Sequence, residues 1–224
     1  MSSPTEENSR LLSARYPELY HVTGCGAAPG ILRHGLLCTS SLLELFDAEE
    51  ALRTQALSQR RVASISLQHA ALGSAQIRDQ IPLSLKRLEG ALTDMTVQQW
   101  LVLLNSLCFF WPTTGRVKRL LGAPHYAELE HDVLVFDTAA LIAAHGERVR
   151  LAAINTGATR PFARPRGRDT FLALGEFPLA ERIGRVGVAG AVAEVAVVEH
   201  VPDARELHVR VERWRGATCE RTIS

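Results

Sequence analysis

Lysine is almost missing from this sequence. Lys86 and Lys118 are the only two, and every other basic side chain is an arginine. Arginine's planar fork pairs with phosphate and carboxylate oxygens two at a time, so the composition leans toward phosphorylated or carboxylate-bearing ligands. Cysteine is scarce as well. Cys25, Cys38, Cys108 and Cys219 show no C-x-x-C spacing, and the first three lie in apolar runs. That argues against a disulfide framework and fits a reducing compartment.

Neither sign of charge dominates, since 25 Lys and Arg face 24 Asp and Glu for a net charge of +1. The balance excludes acidic and basic disordered proteins. No run approaches the roughly 18 apolar residues that a membrane span needs. Residues 1–10 are polar and acidic, without the apolar stretch of a secretory leader. The expected location is the cytoplasm, with no membrane partner. There is no internal repeat and no interdomain linker. What the chain does have is 46% apolar residues over 224 positions, enough for one core, so a single domain over 1–224 is expected, with 1–15 flexible.

Apolar spacing predicts an α+β chain of short strands scattered among helices. Strands are expected over 18–23, 62–67, 108–111, 132–136, 149–154, 192–198 and 207–214. Helices are expected over 27–34, 83–92, 97–107 and 114–121. Two more follow from caps: Ser40 or Ser41 before Leu42, Leu45 and Phe46, and Asp137 or Thr138 before a run ending at Gly146. Residues 155–169, rich in Gly, Pro and Arg, have no period and read as a long loop, functional or disordered.

Two stretches look like sites until their spacing is checked. Gly24-Cys25-Gly26-Ala27-Ala28-Pro29-Gly30 follows a strand and opens a helix, as a dinucleotide-binding glycine fingerprint does. Its last glycine is one position late, Pro29 stands where the third glycine lets the helix pack closely, and no doubly wound pattern follows. His125, Glu128, Glu130, His131 and Asp132 are all ligand types, but they match no metal signature, and a solvated linker explains them. No metal is expected.

Glu194 is the odd residue in Val192-Ala193-Glu194-Val195-Ala196-Val197. An unpaired carboxylate is costly to bury in an apolar strand, so it either faces solvent or has a function. His21 and Thr23 offer a ring nitrogen and a hydroxyl just before a Gly-rich turn, either to a ligand or to the core. Between Arg53 and Arg119 nine basic residues face three acidic ones, and Arg160, Arg164, Arg166 and Arg168 form a second patch able to meet phosphates of a nucleic acid or a nucleotide.

Several motifs also arrive in a fixed order: Tyr20-His21-Val22-Thr23, His34-Gly35-Leu36-Leu37, the aromatic run ending at Trp111, and Asp132-Val133-Leu134-Val135-Phe136-Asp137. After them come Asn155-Thr156-Gly157-Ala158-Thr159 and the Ala193-Glu194 strand with Val201-Pro202 behind it. Spread over residues 19–214, they resemble the DarT-type DNA ADP-ribosyltransferase toxins. The resemblance implies an ADP-ribosyltransferase-like fold, with short strands in a split sheet and flanking helices. It implies an enzyme that moves ADP-ribose from NAD⁺ to a nucleic-acid base or other acceptor and releases nicotinamide.

By the same resemblance Glu194 and Arg78 are the catalytic pair, and His21, Thr23, Arg61, Phe110 and Asn155 contact NAD⁺. Arg60, Arg61 and Arg78 all precede the aromatic strand. Arg78 comes first because it lies at an irregular break beside Asp79, whereas Arg60 and Arg61 close a helix, where cations settle for dipole reasons. A carboxylate such as Glu194 suits the reaction, since the ribosyl centre becomes oxocarbenium-like as the glycosidic bond breaks. A base acceptor must be single-stranded or flipped out, so single-stranded DNA or RNA is an expected partner, together with an antitoxin. An NAD glycohydrolase, an RNA 2′-phosphotransferase-like enzyme and a non-catalytic NAD- or partner-binding module remain the alternatives.

Overall fold

A computed structural model describes residues 3–223. Helices alternate with antiparallel sheets in an α+β arrangement. One four-stranded sheet is ordered Glu18–Gly24, Glu130–Asp137, His208–Arg215, Thr218–Thr222. The other is ordered Leu107–Phe110, Glu194–Val198, Val149–Ala152, Leu172–Ala173. The two are stitched where Tyr20 and Trp111 exchange both backbone hydrogen bonds, at 2.9 and 2.8 Å. A hairpin of Ile65–His69 and Gly73–Ile77 stands apart from both sheets.

The central strands Glu130–Asp137 and Glu194–Val198 read as near-continuous apolar runs because both of their faces are covered. Val195 and Val197 join Leu151, Phe110 and Phe136 in the main core, while Ala196, pointing the other way, packs with Trp100, Leu101 and Phe171. Likewise Leu134 and Phe136 face the main core, and Val133 and Val135 pack with Tyr20, Val117 and Trp214. Since successive side chains alternate sides, burial on two faces needs apolar residues at both parities.

Several helix ends carry the expected chemistry. Asp137 accepts the Ala140 amide at 2.7 Å, and Thr96 and Gln99 form a reciprocal capping box before Val97–Asn105. Helix Ala28–His34 stops at Gly35, whose φ of 85° favours glycine; a Cβ there would also lie 2.9 Å from the Pro202 backbone.

Other elements depart from expectation. Residues 3–15 carry a helix that had not been expected: Ser3 and Glu6 cap Pro4–Arg15, and buried Asn8 donates to the carbonyls of Leu174 and Phe177 at 2.7 and 2.8 Å. The strand expected from Val62 begins at Ile65, and Val62 is exposed. The helix expected over 83–92 shrinks to Leu85–Glu89. Cys38, rather than a serine, caps Thr39–Leu45. Helix Leu179–Ala191, interrupted at Gly187 with φ 71°, has no counterpart among the expected helices.

Candidate active site

Glu194 opens the strand Glu194–Val198 and is 1% exposed, so it does not face solvent. Its carboxylate is gripped by one residue. The Thr156 amide lies 3.1 Å from each oxygen, and the Thr156 hydroxyl donates to Oε2 at 2.6 Å. Thr156 is itself fixed from behind, because its carbonyl accepts from Nη1 of Arg166 at 2.9 Å. Arg166, also buried, lies over the Trp100 ring at 5.8 Å. Burial pushes the Glu194 carboxyl up to about 7; the two Thr156 hydrogen bonds and the charges of Arg116 and Arg166 pull the other way and only partly offset it. Such a group changes charge near neutral pH.

Glu194 borders a cavity of about 890 Å³ that His21, Thr23, Arg78, Phe109 and Trp111 also line. His21 and Thr23 sit two residues apart on one strand, hence on one face. His21 Nδ1 donates to the Phe109 carbonyl at 2.9 Å, which fixes the tautomer and leaves Nε2 as an acceptor. Burial, opposed by that hydrogen bond and reinforced by the charge of Arg78, brings the ring down to about 4, so the imidazole is neutral at physiological pH.

Arg78 follows the hairpin strand Gly73–Ile77, and its guanidinium lies over the Tyr126 ring at 5.1 Å. Among the described residues it makes no hydrogen bond and no ion pair. Tyr126 instead donates to Asp79 at 2.6 Å. Burial lowers the Arg78 pKa. Asp79 attracts the guanidinium without reaching ion-pair distance, so its donors stay open to the cavity.

The neighbouring arginines are occupied. Arg61 donates to the carbonyls of Arg78 and Ala56 and to Oδ1 of Asn105, at 2.9, 2.6 and 2.9 Å. Arg60 holds the carbonyls of Gln80 and Ile81 at 3.3 and 2.9 Å. Both brace the segment that carries Arg78, although Arg61 still touches the cavity.

The expectation for Phe110 is corrected. It is 0% exposed, packed edge-on against Phe136 in the main core, and forms no part of the cavity wall. Strand alternation turns Phe109 to the cavity instead. Asn155 does reach the wall, exposed, but the next residue, Thr156, is the one on Glu194.

Arg166 is not part of a surface patch: it spends its donors on the carbonyls of Thr156, Ala158 and Arg164. The loop 155–169 that carries it is stitched to residues 82–94, through Ser84 N–H to Thr159 Oγ1 at 2.7 Å and Arg166 N–H to Ala91 O at 2.9 Å. Sequence reasoning gave Thr156 and Arg116 no contact with Glu194, and it put Arg166 in a phosphate-facing patch rather than behind Thr156. A hydroxyl in a polar turn directly after a strand was the one available hint.

The five candidate metal ligands do not converge. Glu130 pairs with Arg213 and Arg215, Asp132 with Arg213 and the amides of Gly26 and Ala28, and His131 stacks edge-on against Tyr126. Among the described residues no group of three or more His, Cys, Asp or Glu could hold a metal ion, and no helix is long and apolar enough to cross a membrane.

The chain belongs to the family described as "Family of unknown function (DUF7002)", whose model matches residues 17–208. His21, Thr23, Arg78, Thr156, Arg166 and Glu194 all fall inside that match, whereas the helix Pro4–Arg15 and the strand Thr218–Thr222 flank it. No curated protein and no solved structure matches the chain.

Proposed function

We propose that this protein is an NAD⁺-dependent ADP-ribosyltransferase, with its two stitched sheets forming an ADP-ribosyltransferase-like split fold. The observation that carries the reading is one cavity walled by three complementary groups: the buried Glu194 carboxylate, the unpaired Arg78 guanidinium and the neutral His21 ring. A dinucleotide carries the matching parts, namely an anionic pyrophosphate for Arg78, ribose hydroxyls for His21 Nε2 and Thr23, and a cleavable glycosidic bond.

When the bond to nicotinamide breaks, its electron pair leaves with nicotinamide, and positive charge develops on the ribosyl carbon. Ionised Glu194 stabilises that charge, and the same carboxylate takes the proton of the incoming acceptor. Thr156 holds the carboxylate in place. Arg160, Arg164 and the 84% exposed ring of Phe162 border the same cavity, which suits a charged, ring-bearing acceptor such as an unpaired nucleic-acid base. Water as acceptor makes the protein a glycohydrolase.

The test is release of nicotinamide from labelled NAD⁺ by purified protein. Glu194→Gln should lower it by about 100-fold or more. Single-stranded DNA, RNA or cell extract is then added to find what becomes labelled. Nicotinamide release with no labelled acceptor selects the glycohydrolase; transfer of a 2′-phosphate from RNA selects the phosphotransferase. No turnover with any acceptor leaves a binding module and overturns the enzyme reading.

A further inference from the structure

Arg166 is a buried cation that makes no ion pair among the described residues. Nη1 donates to the carbonyls of Thr156 and Ala158 at 2.9 and 3.2 Å, Nη2 to that of Ala158 at 3.3 Å, and Nε to that of Arg164 at 3.0 Å. The Trp100 ring lies 5.8 Å from the guanidinium. Carbonyls call for a donor, not for a charge. A buried guanidinium without a paired carboxylate costs stability that a neutral donor of similar length would not.

A compensating charge stands one residue away. Thr156 accepts from Arg166 at its carbonyl and donates to Glu194 from its amide and hydroxyl, so a single residue joins the cation to the carboxylate. Each charge opposes what burial does to the other: burial lowers the Arg166 pKa and Glu194 raises it, while burial raises the Glu194 pKa and Arg166 helps to lower it. Arg116, from the helix Thr114–Leu121, is the second cation acting on Glu194, with Nη2 on the Ala189 carbonyl at 3.1 Å. His21, on the wall of the same cavity, is neutral at physiological pH. The backbone of Arg166 is held separately. Its amide donates to Ala91 at 2.9 Å, and its carbonyl accepts the amide and hydroxyl of Thr93 at 3.1 and 3.2 Å, so exchanging the side chain leaves this point of the loop anchored.

We propose that Arg166 is a positioning residue for Glu194 that works by its charge: acting through Thr156, it is the counter-ion of the carboxylate at one remove and favours the ionised form. The proposal rests on the NAD⁺ reading for the use to which that carboxylate is put; the charge relation between the two side chains does not depend on it. Three substitutions separate charge from packing. Arg166→Lys keeps the charge, Arg166→Gln keeps donors without charge, and Arg166→Met keeps neither.

A double-mutant cycle on the full chain tests this. Each of the three substitutions is made in wild type and in Glu194→Gln, and melting temperatures are compared at pH 8 and pH 5, on either side of the Glu194 value of about 7. At pH 8 the glutamine and methionine variants should lose about twice as much melting temperature, or more, in wild type as in Glu194→Gln. At pH 5, with Glu194 protonated, the two backgrounds should agree. The lysine variant should lose the same in both backgrounds at both pH values. Should the methionine variant not fold, the glutamine and lysine variants make the same comparison. In nicotinamide release, Arg166→Gln should move the rising limb of the pH–rate profile up by about one unit. That lowers kcat about fivefold at pH 7 and leaves KM within about twofold. Arg166→Lys should leave the limb in place.

Equal losses in the two backgrounds at pH 8, or a lysine variant that behaves like the glutamine one, overturns the proposal, because a side chain that only packs or only donates is indifferent to the charge on Glu194. The two readings fail separately. If the cycle shows the coupling and no nicotinamide is ever released, the charge relation stands and the transferase reading falls. Release of nicotinamide without coupling does the reverse.

Discussion

The Thr156 hydroxyl lies 2.6 Å from Oε2 of Glu194, and the Thr156 amide serves both oxygens of the same carboxylate at 3.1 Å. One threonine therefore sets both the orientation of Glu194 and its readiness to ionise, opposing the burial that pushes the carboxyl up to about 7. Thr156→Val keeps the amide and removes the hydroxyl. A hydrogen bond to a charged group is worth about 1.5–3 kcal/mol, so the variant should ionise only at higher pH. Nicotinamide release should fall about tenfold or more at pH 7 and recover in alkaline buffer. A pH–rate profile that drops without shifting its rising limb would show that Thr156 serves packing alone.

The same carboxyl makes stability depend on pH in a definite direction. Its folded-state value, about 7, lies above the ordinary 4.5, so its favourable contribution is complete below pH 4.5 and is lost as pH rises through 7. Over that window the shift corresponds to about 3 kcal/mol for a fully buried group. Glu194→Gln cannot ionise. It should therefore melt higher than wild type at pH 8 by more than it does at pH 5. Equal differences at the two pH values would mean that the burial cost is met in another way.

Two histidines work in the opposite sense. Burial brings His21 and His131 down to about 4 from the usual 6.5, aided in each case by the charge of Arg78. Their contribution is present above pH 6.5 and lost as pH falls through 4. Acid unfolding should therefore steepen below pH 6.5 in wild type and become shallower in His131→Phe, which keeps an aromatic ring against Tyr126. Urea midpoints across this range give the comparison; parallel curves would exclude His131 from the acid transition.

Arg78 and Arg61 should separate binding from folding. Arg78→Ala removes a guanidinium that makes no hydrogen bond or ion pair among the described residues, only a contact with the Tyr126 ring, and should cost about tenfold or more in NAD⁺ affinity with little change in melting temperature. Arg61→Ala strands the Arg78 carbonyl and Asn105 Oδ1 and leaves the Ala56 carbonyl only the Asn105 side-chain amide at 3.3 Å. It should lower the melting temperature first. Calorimetry that finds the larger affinity loss in Arg61→Ala would exchange their roles.

The adjacent phenylalanines should behave unlike each other. Phe110→Ala empties a fully buried site beside Phe136 and should cost about 3–5 kcal/mol of stability. Phe109→Ala, on the cavity wall, should cost less in denaturant melts and more in the KM for NAD⁺. Matching stability losses would place both rings in the core.

Local spacing was enough for much of the frame. The helix Thr114–Leu121, the Asp137 cap, the strand around Val135 and the stop at Gly35 each depend on residues within one or two turns of one another. Glu194, a lone carboxylate in an apolar strand, stood out for the same reason. What tertiary structure decided was who touches whom. Thr156 meets Glu194 from 38 positions away, and His21 meets Phe109 from 88. Pairing register, not propensity, turned Phe109 to the cavity and Phe110 to the core. Among three arginines of equal chemistry, it was the surrounding carbonyls that left only Arg78 with a free fork. Short-range patterns are written by a few neighbours. A site assembled across two sheets depends on a register that no short stretch of chain encodes.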